Sequence, residues 1–99
     1  MSPRIWLELM TESLHSEAYA KLVAVLLAER RRKGLTQQAV ADRLRRPQSY
    51  VAKIEGGERR LDMVEFIALS RALGADPHAL FRDVLAAIDL AGRLGQAAT

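Results

Sequence analysis

Glycine and proline divide the chain into short stretches, and this division limits the elements that it can form. The breaks fall at a few places along the 99 residues, which are Gly34, Pro47, Gly56-Gly57, Gly74 and Pro77. Between the breaks, apolar residues recur at three- and four-residue spacing, which is typical of amphipathic helices. Helices this short are stable only when they pack together. The pattern therefore predicts a single all-α domain built from five helices.

The first two predicted helices have recognisable ends. The first covers residues 16–33, where a basic last turn suits the negative end of the helix dipole and Gly34 suits a left-handed stop. The second runs from Gln37 to about Leu44, and Thr36 is placed to accept a hydrogen bond as its N-cap.

A tight turn separates the second helix from the third. Pro47 interrupts the pattern but is tolerated at the opening of the next helix, which covers Gln48–Glu55. Val51 and Ile54 are predicted to face the core. Two short helices joined by a three- to four-residue turn match a helix-turn-helix.

The last two helices also carry start signals. The fourth begins at Asp62, because Asp62 and Glu65 have the spacing of a capping box. Its predicted core face consists of Val64, Ile67, Ala68 and Leu73. The fifth starts at Asp76-Pro77, an N-cap followed by a first-turn proline, and continues to about Ala91.

The two ends of the chain are predicted to lie outside the domain of residues 16–91. Residues 1–15 form an arm, and the apolar stretch from Ile5 to Leu9 is too short to distinguish a strand from a helix. The arm packs on its own domain or on a partner, unless Met10 is the true start. Residues 92–99 are expected to fray.

Charge is unevenly distributed along the chain. The whole sequence carries a net charge of +3, yet residues 30–60 hold ten basic and three acidic residues, which leaves the remainder with an acidic excess. One electropositive region on an acidic body suits a polyanionic partner, although solvated helix faces would give the same count.

Composition excludes several other functions. The chain has no cysteine, and its two histidines, His15 and His78, are far apart, so we expect no metal, no cofactor and no catalytic site. The longest apolar run, Leu22 to Ala28, is too short for a membrane span of roughly 20 residues. Glu8 and Glu12 interrupt any signal peptide. We therefore expect a cytoplasmic protein without membrane contact.

Several motifs occur together in a recognisable order. Residues 34–44 read GLTQQAVADRL, residues 47–60 read PQSYVAKIEGGERR, and residues 72–74 read ALG. In this order and at these intervals, over about residues 18–82, the chain resembles the Cro and phage-repressor-like regulators, also called the XRE family. The resemblance implies a five-helix, lambda-repressor-like fold that binds double-stranded DNA and regulates transcription, most often by repression.

The resemblance implies that the third helix enters the major groove. Gln48 is the best candidate for reading a base, because its amide can donate and accept at once and so pair with adenine. Ser49 and Lys53 are the further base-reading candidates. Phosphate contacts are assigned to Gln37, Tyr50, Arg45, Arg46, Arg59 and Arg60.

Some of these residues have a second interpretation. Gln37 is either a phosphate clamp or a solvent-facing residue at a helix start, and the Tyr50 ring either contacts DNA or covers the junction with the second helix. Glu55, on a basic face, is expected to pair locally with an arginine such as Arg30 or Arg59. Two positions depart from the family pattern: Arg45 occupies the turn position usually held by glycine, and Ala39 replaces an acidic capping partner.

Selective binding by so small a domain favours a homodimer, which the resemblance also implies. The fifth helix, with more apolar residues than one core face needs, and the N-terminal arm are the two candidate surfaces. The alternative function is the DNA-binding antitoxin half of a toxin–antitoxin pair, with the toxin as protein partner.

Overall fold

Five helices are present, and they differ from the prediction mainly at the two outer ends. In the computed structural model, which describes residues 3–97 and the side chains of residues 17–90, the elements are α1 (Pro3–Arg32), α2 (Gln37–Leu44), α3 (Gln48–Glu55), α4 (Met63–Ala72) and α5 (Pro77–Ala97). The bounds predicted for α2 and α3 are confirmed. Within residues 3–97, no helix has both the length and the apolar character needed to cross a membrane.

Helices α1 to α4 all end in the same hydrogen-bonded motif. After each helix, one residue takes a left-handed backbone, and two successive N–H groups donate back to carbonyls of the last turn. Glycine occupies the left-handed position after α1, α3 and α4, whereas Arg45 occupies it after α2 with φ 56° and ψ 43°. A side chain there costs about 1 kcal/mol. The hydrogen bonds from Arg45 N and Arg46 N, 3.1 and 3.0 Å long, offset that cost and keep the turn between α2 and α3 tight.

The helix starts follow the sequence signals closely. Thr36 Oγ1 accepts from Ala39 N at 3.0 Å, so Thr36 caps α2 even though Ala39 provides no acidic partner. Asp62 and Glu65 form both hydrogen bonds of a capping box at the start of α4. Pro77 opens α5 as predicted, and Pro47 lies at the N-cap position immediately before α3.

The core forms where all five helices meet. Helix α1 packs against α3 and α5, α2 packs against α3 and α4, and α4 packs against α5. The buried apolar residues form one cluster, which contains Leu26, Val40, Ala41, Val51, Ile54, Phe66, Leu69, Ala72, Leu73, Leu80 and Val84. Every helix contributes to this cluster, so α2 and α3 are held by packing and not by their own length.

The predicted core face of α4 is wrong at Val64 and Ala68, whereas Ile67 is half-buried and Leu73 is buried as predicted. Val64 is 74% exposed, and Ala68 is exposed as well, whereas Phe66 and Leu69 are buried together with Leu73. Both sides of α4 carry apolar residues at helical spacing, so periodicity does not distinguish them. Ser70 makes the inner side look polar, but its hydroxyl donates to the Phe66 carbonyl at 2.7 Å and is therefore buried at little cost.

The outer helices extend beyond their predicted ends. Helix α1 begins at Pro3 instead of residue 16, which settles the strand-or-helix alternative for this backbone in favour of helix. Helix α5 runs to Ala97, past the end predicted near Ala91. Its two glycines each cost about 1 kcal/mol relative to alanine but do not force a stop. The contacts expected of the arm's apolar side chains lie outside the described side chains.

The exposure of Val64 on α4 predicts that its truncation differs in effect from that of Val40, which is buried on α2. Val40→Ala should lower the free energy of unfolding by about 2 kcal/mol, because it removes two fully buried carbon atoms and leaves a cavity. Val64→Ala makes the same chemical change on an exposed helix face and should alter stability by less than about 0.5 kcal/mol. Urea denaturation monitored by circular dichroism measures both values. Equal losses would contradict the assigned face.

Candidate nucleic-acid interface

Helix α3 has one buried side and one exposed polar side. Val51 and Ile54 lie in the core, whereas Gln48, Ser49 and Lys53 are exposed. Ser49 and Lys53 are four residues apart and therefore lie one turn apart on the same side of the helix. The three predicted base-reading residues thus share an accessible surface along the first two turns of α3.

Glu55, at the C-terminal end of α3, is held by an arginine of α1. Arg30 donates from Nε to Oε2 at 2.6 Å and from Nη2 to Oε1 at 3.0 Å. The third nitrogen of the guanidinium, Nη1, donates to the Leu35 carbonyl at 2.7 Å. The hydrogen bond to Glu55 raises the pKa of Arg30 above its ordinary value. The local pairing predicted for Glu55 is therefore made with Arg30 and not with Arg59.

Two glutamines extend this ion pair to the start of α3. Gln37 Nε2 donates to Glu55 Oε1 at 2.9 Å, and Gln48 Nε2 donates to Gln37 Oε1 at 2.6 Å. The predicted phosphate-binding residue and the predicted base-reading residue are therefore in direct contact. Gln37 is half-buried, and both ends of its amide are engaged in these hydrogen bonds.

Tyr50 joins α3 to α4. Two arginines lie close to its half-buried ring, with the guanidinium carbons of Arg46 and Arg59 at 5.2 and 4.6 Å from the ring centroid. Its hydroxyl donates to Glu65 Oε2 at 3.0 Å. Burial, followed by the hydrogen bond to Glu65, raises the pKa of Tyr50. The sequence left a role in covering the junction with the second helix and a DNA-contacting role open; the contacts described here join α3 to α4, and the DNA-contacting role stays a prediction.

The segment after α3 contacts both α4 and α1. Arg59 Nη2 donates to Glu65 Oε2 at 2.6 Å, and the Arg59 carbonyl accepts from the Tyr19 hydroxyl at 2.9 Å. The Arg60 guanidinium lies 4.5 Å from the centroid of the Tyr19 ring. Arg59 therefore lies in the Tyr50 cluster with Arg46, whereas Arg60 lies beside α1.

Three other basic residues of this region bond to groups of the protein, and two lie in the turn before α3. Arg43 donates from Nη1 to the Ala72 carbonyl at 2.7 Å and so links α2 to α4. Arg32 pairs with Glu29 on α1, and Lys33 donates to the Gly74 carbonyl. Arg45 and Arg46, in the turn before α3, are exposed.

Glu65 and Tyr19 are the residues of this site that sequence reasoning did not find. The capping-box spacing identified Glu65 as a helix-start residue, but it gave no signal for the contacts with Tyr50 and Arg59. Tyr19 appeared only as an apolar position of α1. Their partners lie on other elements of the chain, so no local spacing reports them.

The arrangement offers hydrogen-bonding groups and positive charge. Among the residues that the structure describes, no group of three histidine, aspartate or glutamate side chains could hold a metal ion. An exposed amide, a hydroxyl and an ammonium on α3, with arginines beside them, are the groups that contact base edges and phosphates in DNA.

Comparison with known proteins agrees with this geometry. The helix-turn-helix domain family matches residues 21–84. An XRE-family like protein from Pseudomonas syringae pv. tomato is 44% identical over 78% of this chain and 94% of that chain, with a TM-score of 0.74. The clp gene regulator ClgR from Corynebacterium glutamicum is 22% identical over 82% and 86% of the two chains, with a TM-score of 0.69.

A third similar structure is the restriction-modification controller protein C.Esp1396I, which is 22% identical over 72% of this chain and 93% of that chain, with a TM-score of 0.67. At this identity, it and ClgR support the fold alone. No curated protein sequence matches the chain. The chain belongs to the XRE-type helix-turn-helix family of DNA-binding transcriptional regulators, which are not enzymes.

The contacts of Glu65 predict a specific pH dependence of stability. Hydrogen bonds from Arg59, from the Asp62 backbone N–H and from Tyr50 lower the pKa of Glu65 from 4.5 to about 2. A lowered pKa stabilises the folded state above 4.5, and this contribution is lost as the pH falls towards 2. The stability difference between the wild type and Glu65→Gln should therefore shrink over this range in urea titrations at a series of pH values. A difference independent of pH would show that these contacts do not favour the ionised form.

Proposed function

We propose that the protein represses transcription as a homodimer, with α3 of each subunit in the major groove of double-stranded DNA. The observation that carries this proposal is the two-sided character of α3. Its apolar residues lie in the core, and its first two turns expose Gln48, Ser49 and Lys53. A helix of this kind, following a tight turn, is the groove-reading element of helix-turn-helix proteins.

The three exposed residues differ in what they can read. Gln48 can accept from N6 and donate to N7 of adenine, which distinguishes this base from the other three. Ser49 is short and can donate or accept. Lys53, one turn further along α3, donates to guanine acceptors or to a phosphate. We therefore assign most of the base preference to Gln48.

Phosphate contacts are assigned to residues on both sides of α3. Gln37 lies in the first turn of α2, where unpaired backbone N–H groups and the helix dipole favour an anion. Arg45 and Arg46 precede α3, and Arg59 and Arg60 follow it. Tyr50 is the weakest member of the set, because its hydroxyl is already engaged by Glu65. Each neutralised phosphate adds roughly 0.9 to the logarithmic salt slope.

Two subunits are needed because one domain reaches few base pairs. A good bidentate contact discriminates by roughly 1–3 kcal/mol, and a two-fold dimer on half-sites about 34 Å apart doubles the number of contacts. Among the described side chains, Phe81 and Leu85 expose 42% and 44% of their surface on the same side of α5. We assign the dimer surface to this side of α5. A dimer bound across a promoter would exclude polymerase, which is the basis for proposing repression.

Selection of binding sites from random duplexes at near-physiological salt tests the proposal. The enriched motif should be two-fold related, and transcription from a template that carries it should fall when the protein is added. The Leu85→Glu variant, with a charge at the proposed dimer surface, should lose the two-fold relation between half-sites. Failure to enrich any motif would contradict sequence-specific binding, and increased transcription would replace repression by activation.

Two substitutions separate base reading from phosphate binding. Gln48→Ala should weaken binding to the selected site by about 1–3 kcal/mol and relax its base preference, with little effect on random DNA. Arg46→Ala should weaken binding to all sequences and reduce the logarithmic salt slope by roughly 0.9. Fluorescence anisotropy at several salt concentrations measures both effects.

Arg82→Ala is the matched control for charge, because Arg82 is an exposed arginine on α5 and is not among the residues assigned to DNA contact. It should leave the salt slope nearly unchanged. If Gln48→Ala weakened binding to selected and random duplexes equally, Gln48 would not be a base-reading residue.

A further inference from the structure

The carboxylate of Glu55 is the fixed end of a chain of hydrogen bonds that reaches the exposed start of α3. An ionised carboxylate accepts hydrogen bonds and cannot donate them, whereas a glutamine amide has one accepting oxygen and one donating nitrogen. Glu55 already accepts two hydrogen bonds from Arg30. Any amide that also faces this carboxylate must present its nitrogen.

Gln37 therefore has only one favourable orientation. Its Nε2 donates to Glu55 Oε1 at 2.9 Å, which leaves Oε1 facing the start of α3. An accepting oxygen at that place requires a donor from its neighbour, and Gln48 Nε2 supplies it at 2.6 Å. The orientation of each amide follows from the preceding one.

Gln48 is thereby left with a defined pair of free groups. One N–H of its amide is used by Gln37, so the Oε1 acceptor and the second N–H remain for DNA. One acceptor beside one donor matches the N6 and N7 edge of adenine. The reversed amide would have its oxygen engaged and two N–H groups free, which suits the two acceptors N7 and O6 of guanine.

We propose that Glu55 is a positioning residue for base recognition, which selects adenine over guanine at the base read by Gln48 by fixing the amide orientations of Gln37 and Gln48. This inference rests on the proposed role of Gln48 in reading a base. It assigns an effect on sequence preference to a side chain that is only 9% exposed. The effect passes through two hydrogen bonds and requires no movement of α3.

Glu55→Gln is the decisive variant because it keeps the shape and changes the hydrogen-bonding pattern. The new amide can turn either its oxygen or its nitrogen towards Gln37, and in each case its nitrogen also faces one N–H of Arg30. Gln37 is then no longer restricted to one orientation, so its nitrogen can turn towards Gln48 and the Gln48 amide can reverse. A purely structural role of Glu55 would instead weaken binding to every duplex by the same factor.

Arg30→Lys is the matched control for lost stability. It keeps the positive charge but loses the bidentate hydrogen bonding to Glu55, so it should destabilise the fold. It leaves the carboxylate in place, and the orientation of Gln37 should therefore persist. Folding of each variant is checked by circular dichroism and urea denaturation.

The experiment compares two duplexes that differ only at the base pair assigned to Gln48, one with adenine and one with guanine. For Glu55→Gln, the ratio of the two affinities should fall by roughly fivefold or more, within the discrimination expected of one bidentate contact. For Arg30→Lys, this ratio should stay within about twofold of the wild-type value. An unchanged ratio for Glu55→Gln, with the protein folded, would overturn the inference.

Gln37→Met keeps the inference testable if Glu55→Gln does not fold. It removes the amide that links Glu55 to Gln48 and leaves the pair of Arg30 and Glu55 intact. The affinity ratio should therefore fall again. An unchanged ratio for this variant would also overturn the inference.

Gln48→Ala separates a failure of this inference from a failure of the proposed function. If Gln48→Ala does not change the affinity ratio, the base-reading role itself is wrong. If it lowers the ratio and Glu55→Gln does not, only the positioning role is wrong. In the Gln48→Ala background, Glu55→Gln should have no further effect on the ratio.

Discussion

The ion pair between Arg30 and Glu55 determines how the helix-turn-helix is attached to the rest of the molecule. It joins the last turn of α1 to the last turn of α3, and Gln37 adds the first turn of α2 to the same carboxylate. The two charged side chains are only 13% and 9% exposed. Desolvation at this depth offsets much of the attraction, so the pair contributes more to a single relative placement of the three helices than to net stability.

A second carboxylate, Glu65, has a comparable role between α3 and α4. It caps its own helix, accepts from the Tyr50 hydroxyl and pairs with Arg59. Helix α3 is therefore tied to α1 and α2 through Glu55 and to α4 through Glu65, while its apolar side lies in the core. The two carboxylates also explain how a strongly basic segment tolerates its own charge, since each neutralises one arginine and orients neighbouring donors.

Local structure was predictable wherever a few adjacent residues decide it. Thr36 and the pair Asp62 and Glu65 set helix starts through hydrogen bonds that span three residues, so their roles follow from spacing alone. The core face of α4 was not predictable in this way. Val64 and Phe66 both lie at suitable positions, and only packing against the other helices, with the Ser70 hydroxyl bonded within its own helix, selects Phe66 for burial. The ends of α1 and α5 were also missed, because no proline or cap forces a stop there.

The sequence by itself determined the number of helices, the bounds of α2 and α3, the tight turn between them and the family, because these depend on short-range hydrogen bonds and on motif order. The tertiary structure alone decided which arginine pairs with Glu55, what the Tyr50 hydroxyl contacts, and how Gln37 and Gln48 are oriented. Those contacts join residues from different helices. How the helices pack determines which side chains meet. Local spacing along the chain does not indicate that packing.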